Sequence, residues 1–361
     1  MSVHAFRYES LPGQVLFGSG TLNQLPSEAA RLQLNRMLII STPGHRETAQ
    51  RAASLLGKVA AGMFTDAAMH TPTEVTDAAL AVAVDLNVEG TVAIGGGSAI
   101  GLSKALAFRT DWPQIVIPTT YAGSEATPVL GETSQGIKQT QRSSRVLPES
   151  ILYDVDLTVR LPVMISMASG LNAMAHAAEA LYSADRNPLT NLMADAALST
   201  LIQALPRILS NPRDLEARAS ALYGAWLCGC CLGNVGMALH HKLCHTLGGA
   251  FGLPHAQMHA VLLPHALAYN LSCAPDARES LSRVLKHKEP AMALEHFARS
   301  LQLPRSLREL GMPRDAIDRA ADLATRNSYP NPRPIEREAI RGMLLRAWAG
   351  DLPSAAELVH A

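Results

Sequence analysis

The sequence has no surplus of charge, since its 361 residues include 31 basic and 31 acidic side chains and the formal net charge is zero. Binding to nucleic acid or to an anionic membrane needs a basic field, so this balance argues against both kinds of partner. A small anionic substrate stays possible, because a few local hydrogen-bond donors are enough to bind it.

Long apolar runs and an even set of cysteines are also missing. The five cysteines are clustered and odd in number, which does not indicate the disulfide framework of a secreted protein. The first residues, MSVHAFRYESLPG, lack the apolar core of a signal peptide. No stretch reaches the ~18 uninterrupted apolar residues of a membrane span. We therefore expect a cytoplasmic protein.

Short apolar runs alternate with Ala-rich helical patterns over the first 160 residues or so. Four of these runs end at Gly, Ser, Thr or Pro residues, and they lie at 14–17, 37–40, 91–94 and 114–117. This alternation predicts βαβ units and a parallel sheet, in which ligands bind at the carboxyl ends of the strands.

After about residue 162 the strand signals nearly vanish. Long patterns rich in Ala, Leu and Met follow at 164–183, 188–209 and 214–233. We therefore predict an α/β domain over residues 1–161, with a dinucleotide-binding parallel sheet, and an all-helical domain over residues 162–361.

A glycine-rich loop, Gly95-Gly96-Gly97-Ser98, separates a predicted strand from a predicted helix. Glycines let the backbone approach a pyrophosphate closely, and the start of the helix offers free N–H groups. The strict G-x-G-x-x-G spacing fails, because the next glycine is Gly101. A tight βα turn without a ligand is the alternative.

A second loop, 118–125, follows the next strand and favours the phosphate interpretation. Its polar side chains include Thr119, Thr120, Tyr121 and Ser124. Because the carboxyl ends of neighbouring parallel strands meet at one edge of the sheet, the two loops would form a single crevice for a cofactor.

Several of the 13 histidines lie at the spacing of a shared helix face. Asn172 and His176 are four residues apart, His241 and His245 are also four apart, and His255 follows in a Gly-Leu-Pro-His loop. Neutral imidazoles on one face suit a metal ion or proton transfer near neutral pH. Any one of them alone would more often be a hydrogen-bonded core histidine, and we interpret His240, His259 and His265 in that way.

Together these motifs resemble the iron-containing alcohol dehydrogenase superfamily over essentially the whole chain, about 17–350. Some of them resemble the maleylacetate reductase family within it. Those segments are Met69-His-Thr-Pro72, the Gly95 loop followed by Gly101, Pro118-Thr-Thr-Tyr-Ala-Gly-Ser-Glu125, Gly131-Glu-Thr133 and Leu171-Asn-Ala-Met-Ala-His176.

The resemblance implies a homodimer of two-domain chains, with the cofactor in the cleft between the domains. In metal-using members one Asp and three His hold a divalent ion, and these positions match Asn172, His176, His241 and His255. The position of His245 matches a histidine that faces nicotinamide and substrate.

Three positions depart from the alcohol dehydrogenase pattern. Asn172 replaces a carboxylate with a neutral, poorer ligand, although three imidazoles such as His176, His241 and His255 still suffice for a catalytic zinc. Gly101 stands where these dehydrogenases usually have Asp. Ser41-Thr42 stands where an Asp often binds the adenosine ribose, so discrimination against NADPH is expected to be weak.

The resemblance thus implies NADH- or NADPH-dependent reduction of the carbon–carbon double bond of maleylacetate, a dicarboxylate of aromatic-compound catabolism, without a required metal. We expect the cofactor at Gly95, Gly96, Gly97, Ser98, Thr119, Thr120, Ser124 and Thr42. We expect the substrate at Tyr121 and Arg333, although Arg333 is equally well explained as a structural contact.

For the chemistry, we assign stabilisation of the enolate to imidazole donors of His176, His241 and His255, and delivery of a proton to His245. Three alternatives stay open. They are a metal-dependent alcohol or polyol dehydrogenase, a lyase like dehydroquinate synthase that uses bound NAD without net turnover, and a binding module without catalysis.

Overall fold

The computed structural model describes residues 6, 8, 13–135 and 137–354. From residue 13 onwards the described chain divides into two compact units, and this division falls between Leu161 and Pro162. We call them the N-terminal unit and the C-terminal unit, and each is described by itself.

The N-terminal unit is built on a parallel sheet of six strands. The strands are β1 (Gln14–Gly18), β2 (Met37–Ser41), β3 (Ala60–Phe64), β4 (Gly90–Gly95), β5 (Gln114–Pro118) and, after a β6–β7 hairpin (Val129–Ser134 and Ile137–Arg142), β8 (Ser150–Asp154). The sheet order is β1-β8-β5-β4-β2-β3, and every pairing in it is parallel. All residues of β2, β4, β5 and β8 are buried, as expected of a parallel sheet covered on both faces.

Helices connect these strands. They are α1 (Leu25–Arg31), α2 (Arg46–Leu56), α3 (Thr73–Asp85), α4 (Gly97–Thr110) and α5 (Val155–Thr158), with 3-10 turns at Thr21–Gln24, Pro43–His45, Gly57–Val59, Ser124–Ala126 and Ser144–Val146. The chain leaves β2 towards β3 on one side of the sheet order, and it leaves β4 towards β5 on the other side. Strands β2 and β4 are neighbours, so their carboxyl ends form a topological switch point, where α/β sheets bind ligands.

The C-terminal unit is helical throughout its described residues. Its helices are α6 (Val163–Ala180), α7 (Pro188–Ser210), α8 (Leu215–Asn234), α9 (Leu239–Phe251), α10 (His255–Asn270), α11 (Pro275–Leu285), α12 (Pro290–Ser300), α13 (Ala316–Thr325) and α14 (Arg337–Ala349), with a 3-10 turn at Leu271–Cys273. Helix α6 is buried from Ser166 to Ala180, which makes it the central helix of the unit. A parallel sheet unit followed by a helical unit confirms the expected fold class.

By length and composition alone, α7 is long and apolar enough to cross a membrane, and so is the bent pair of α8 and α9. Helix α7 packs against α6 and α8 and buries one face, including Leu198, Leu201 and Leu205. The core helix of a protein without membrane spans passes the same test, so this finding is weak evidence for a membrane.

Candidate functional site

The glycine loop lies at the carboxyl end of β4, as the sequence predicts. Gly95 has a φ of +144°, and a Cβ there would lie 3.2 Å from the Cβ of Ala99, so the sharp turn into α4 needs a glycine. No side chain caps the first turn of α4, which leaves its backbone N–H groups available to an anion. A Cβ at Gly97 would meet no atom within 4 Å, so the loop surface is open at this point.

The second predicted loop contacts the first. The Thr119 backbone N–H donates to the Gly95 carbonyl at 3.0 Å. A Cβ on Gly96 would lie 2.9 Å from Cγ2 of Thr120, so the threonine packs directly on the glycine backbone. The structure therefore brings together both loops that the sequence assigns to the cofactor.

Two further residues were predicted to bind the cofactor, namely Ser124 in the second loop and Thr42 after β2. The Ser124 hydroxyl is buried and has no hydrogen-bond partner in the part of the chain that the structure describes. Thr42, which follows β2, forms a hydrogen bond with a ring nitrogen of His45, and the other ring nitrogen of His45 contacts the Thr119 hydroxyl. His45 is a residue that the sequence analysis missed.

Lys104 on α4 was also missed, and it holds the second loop in place. Its ammonium donates to the carbonyls of Ser124, Thr127 and Val129 at 2.6, 2.6 and 3.1 Å. Burial lowers the pKa of Lys104 to about 7, and the nearby charge of Glu125 opposes that shift. Three carbonyl acceptors match the three N–H donors of an ammonium, so Lys104 links the helix after the first loop to the backbone of the second.

In the C-terminal unit the histidine cluster is assembled from three helices. Asn172 and His176 lie on α6, His241 and His245 lie on α9, and His255 is the first residue of α10. The ring centroids of His176 and His241 are 4.9 Å apart, and those of His241 and His245 are 6.4 Å apart. The His245 and His255 rings are stacked with centroids 6.5 Å apart.

A buried carboxylate orders this cluster. Glu179 on α6 accepts hydrogen bonds from the backbone N–H groups of Ala238 and His240 at 2.9 Å each, and so caps the start of α9. The same carboxylate lies 2.6 Å from Nδ1 of His241, whose Nε2 is 2.7 Å from Nδ1 of His176. Glu179, His241 and His176 therefore form one hydrogen-bonded chain, which we call the Glu179 relay.

The protonation state of Glu179 follows from its partners. Burial alone would raise its pKa, but the hydrogen bond and charge of His241, the charge of His240 and the Ala238 N–H outweigh burial and lower the pKa to about 2. An ionised carboxylate accepts from His241 Nδ1–H, so Nε2 of His241 accepts from Nδ1–H of His176 when both rings are neutral. Glu179 thereby fixes the orientation and the tautomer of the His241 ring.

His240, His259 and His265 are all buried. Burial, together with the charge of His241, lowers the pKa of His240 to about 3, and burial and the charge of Arg346 lower that of His265 to about 4. His240 Nε2 lies 2.8 Å from Nδ1 of His259 and 3.7 Å from Sγ of Cys244. Among the described residues His240, Cys244 and His259 have ligand atoms within 4.8 Å of one another, which is a different set from the predicted metal ligands. The contacts support their interpretation as packed, neutral core histidines.

The two residues predicted to bind the substrate, Tyr121 and Arg333, are both packed against other parts of the protein. Tyr121 is fully buried. The Arg333 guanidinium lies 4.3 Å from the centroid of the Tyr269 ring, and its backbone carbonyl accepts a hydrogen bond from Asn331. This stacking of the guanidinium on a neighbouring ring supports the interpretation of Arg333 as a structural contact.

Comparison with known proteins assigns the class. The sequence matches the family described as iron-containing alcohol dehydrogenase over residues 12–155, and the C-terminal part of the Fe-containing alcohol dehydrogenase family over residues 166–348. With the α/β unit and the helical unit described above, the chain belongs to the iron-containing alcohol dehydrogenase family.

Its relatives narrow the class further. A maleylacetate reductase of Rhizobium sp. (strain MTP-10005) is 51% identical over 348 residues, which are 96% of this chain and 99% of that protein. A maleylacetate reductase of Burkholderia cepacia is 50% identical over 352 residues, 98% of this chain and 100% of that protein. The crystal structure of maleylacetate reductase from Agrobacterium tumefaciens superposes with a TM-score of 0.94 at 51% identity, and covers 97% of this chain and 100% of that one.

The family name implies iron, and the four matching positions test whether this chain suits it. Asn172, His176, His241 and His255 include no carboxylate, so they do not offset the charge of a divalent ion. The Asn172 Oδ1 is buried and has no partner among the described residues, but it is a neutral amide oxygen. Without a carboxylate this donor set is a weaker match for iron, although three imidazoles still suffice for a zinc ion.

Proposed function

We propose that this chain is a maleylacetate reductase, a nicotinamide-dependent oxidoreductase that converts maleylacetate to 3-oxoadipate with NADH or NADPH. The observation that carries this proposal is the identity of 51% over 96% of the chain with the reductase of Rhizobium. The site supports it through the paired glycine and threonine loops of the N-terminal unit and through the histidine cluster of the C-terminal unit.

The cofactor is bound by the N-terminal unit in this proposal. The uncapped start of α4 and the glycine loop receive the pyrophosphate, because N–H groups and the positive end of a helix attract an anion. The hydroxyls of Thr42, Thr119 and Ser124 supply neutral hydrogen bonds beside it. A carboxylate that would repel a 2′-phosphate does not follow β2, which is why both NADH and NADPH are expected to serve.

The reaction adds a hydride to the alkene carbon remote from the ketone of the substrate. The electron pair of the double bond moves towards the carbonyl, and negative charge develops on the ketone oxygen as an enolate. We assign stabilisation of that charge to an imidazolium of the Glu179 relay, since the Glu179 carboxylate lies 2.6 Å from His241 and His241 lies 2.7 Å from His176. His255 is a further imidazole donor.

Proton delivery completes the reduction. We assign it to His245, whose ring lies beside those of His241 and His255. Protonation of the enolate carbon next to the ketone gives 3-oxoadipate, so one hydride from the cofactor and one proton account for the two hydrogens gained. No step of this proposal passes through a metal ion, and the comparison of rates with and without EDTA tests that choice.

The remaining parts of the proposal concern the substrate carboxylates and the state of the protein. Arg333 and Tyr121 are the proposed substrate contacts, although the stacking of Arg333 on Tyr269 favours a structural role for the arginine. We also propose that the protein is a cytoplasmic homodimer that binds neither nucleic acid nor membrane.

The experiment that tests the function is oxidation of NADH with maleylacetate, with and without EDTA, beside a panel of simple aldehydes and alcohols. We expect one NADH to be consumed per maleylacetate and no loss of rate on chelation. Loss of activity with EDTA that returns with zinc or iron would establish the metal-dependent alternative. Turnover of substrate without consumption of NADH would establish the lyase alternative.

A further inference from the structure

His45 lies where two neighbouring strands of the sheet send their connections in opposite directions. It ends the 3-10 turn Pro43–His45 that follows β2, and a Cβ added to Gly95, the last residue of β4, would lie 3.8 Å from its Nδ1. The carboxyl ends of β2 and β4 form the switch point at which a dinucleotide is expected. The imidazole therefore lies within the proposed cofactor crevice.

The ring connects the loops that follow two different strands. Nδ1 lies 3.0 Å from the Thr42 hydroxyl, which follows β2, and Nε2 lies 2.9 Å from the Thr119 hydroxyl, which follows β5. Strand β4 lies between β2 and β5 in the sheet, so this bridge passes over the start of the glycine loop. Both threonines are residues that the sequence analysis assigns to the cofactor.

The charge state of the ring decides what each hydroxyl can offer. Burial lowers the pKa of His45, and both of its hydrogen-bonding partners are neutral. The charged neighbours on its own helix contact other groups, since Arg46 donates to Thr65 and Glu47 pairs with Arg160. A neutral imidazole has one N–H donor and one lone-pair acceptor, so it treats its two threonines differently.

One threonine must accept from the ring, and the other must donate to it. The accepting hydroxyl keeps its own O–H for an external acceptor, such as a phosphate oxygen. The donating hydroxyl keeps only lone pairs, which suit a ribose hydroxyl. Thr119 is buried beside the glycine loop, whereas Thr42 follows β2, whose end is the usual place of the adenosine ribose.

We propose that His45 is a positioning residue for the dinucleotide, whose Nε2–H turns the Thr119 hydroxyl towards the pyrophosphate while its Nδ1 lone pair directs the Thr42 oxygen to the ribose. The inference rests on the proposed function, since it needs a nicotinamide dinucleotide in this crevice. In this role the imidazole decides which of the two threonine hydroxyls, Thr42 or Thr119, donates a hydrogen bond to the ring and which accepts one from it.

The test measures the Kd of NADH directly, from the change in nicotinamide fluorescence on binding, together with kcat at saturating NADH. His45→Ala is expected to weaken NADH binding about tenfold, since two oriented hydrogen bonds are lost, with kcat within about twofold of the wild type. His45→Gln is expected to restore most of the affinity, because one amide offers one acceptor and one donor. His287→Gln, an exposed histidine of the C-terminal unit, is the matched control and should change neither quantity.

Each outcome supports or overturns the role proposed for His45. Wild-type affinity in folded His45→Ala overturns the inference and leaves the proposed function intact. Equal losses in His45→Ala and His45→Gln overturn the hydrogen-bonding role in favour of a purely steric one. If His45→Ala does not fold, Thr119→Val and Thr119→Ser decide instead, since only the serine retains the hydroxyl and should retain affinity. A wild-type protein that binds no NADH refutes the proposed function itself.

Discussion

His45 of the N-terminal unit and His241 of the C-terminal unit each have a hydrogen-bonding partner at both ring nitrogens, but the partners differ in charge. His45 lies between two threonine hydroxyls, whereas His241 lies between an ionised carboxylate and another imidazole. The neighbours of His45 stabilise a neutral ring that orients hydroxyls. The partners of His241 connect it to the negative charge of Glu179.

This difference matches the chemistry proposed for the two units. Binding a dinucleotide anion needs fixed donors that do not change during the reaction, and the first unit supplies them from backbone N–H groups and hydroxyls, in a loop that a buried lysine holds in place. Reducing an enone generates a new negative charge, so the second unit needs hydrogen-bond donors or a positive group aimed at that charge. Glu179 caps α9 and also accepts a hydrogen bond from Nδ1 of His241, so the carboxylate at the start of the helix orients that ring.

Removal of the proposed proton donor is expected to have the largest effect on the second unit. His245→Ala should lower kcat about a thousandfold, within the range for loss of a general acid, while the Kd of NADH stays unchanged. Stopped-flow measurement of NADH oxidation with maleylacetate gives kcat, and fluorescence titration gives Kd. His265 is buried, so His265→Ala would be an unsuitable control. The control is therefore His296→Ala, at an exposed position of α12. Full activity of His245→Ala would remove this residue from the mechanism.

The elements of the fold could be predicted to different degrees. The helices α6, α7 and α8 begin and end within three residues of their expected positions, because long apolar periodicity is a strong signal. Strand β3 was missed because its sequence, Ala-Ala-Gly-Met-Phe, has no β-branched residue. Strand β7 was missed because it is polar and is defined by its pairing with β6.

The site could be predicted where its residues directly follow a predicted strand, as in the two loops, or follow one another at helical spacing. Asn172 with His176, and His241 with His245, share a helix face for that reason. Glu179 lies three residues after His176 but contacts a ring 62 residues away, and only the packing of helices makes that contact. Lys104 and His45 likewise act on loops after other strands, so no local spacing indicates them. The roles assigned to all these residues stay predictions.

Neutralising the relay carboxylate tests whether its charge, rather than its shape, distinguishes the second unit. Glu179→Gln should lower kcat about a hundredfold, comparable to the loss of one donor to a developing oxyanion, with little change in the Kd of NADH. Glu295→Gln is the matched control, because Glu295 is a buried glutamate of the same unit that pairs with Arg299. A drop in melting temperature with unchanged kcat would mean that Glu179 serves only as the cap of α9.

The lysine of the first unit should show the opposite pattern, with binding affected and chemistry spared. Lys104→Met leaves three buried carbonyls without their donor, so the free energy of unfolding is expected to fall by about 3 kcal/mol. The Kd of NADH should rise severalfold, because the second loop loses its link to α4, while kcat at saturating NADH holds. Lys58→Met, at an exposed position, should change neither. Thermal and denaturant unfolding with NADH titration measure these effects, and a change in kcat alone would contradict them.

The smallest expected effect concerns Gly101, where the alcohol dehydrogenases that this sequence resembles usually have Asp. A Cβ at Gly101 would lie 2.4 Å from the Thr71 hydroxyl, so the space for a side chain is filled by this neighbour. Within a helix Gly→Ala normally stabilises by about 1 kcal/mol, but here the overlap should reverse the sign. Gly101→Ala is therefore expected to destabilise the wild type. In a Thr71→Ala background the hydroxyl is gone, so the same Gly101→Ala substitution is expected to stabilise the protein. Unfolding of the four proteins measures this coupling directly, and additive effects would mean that a cause other than Thr71 makes glycine necessary here.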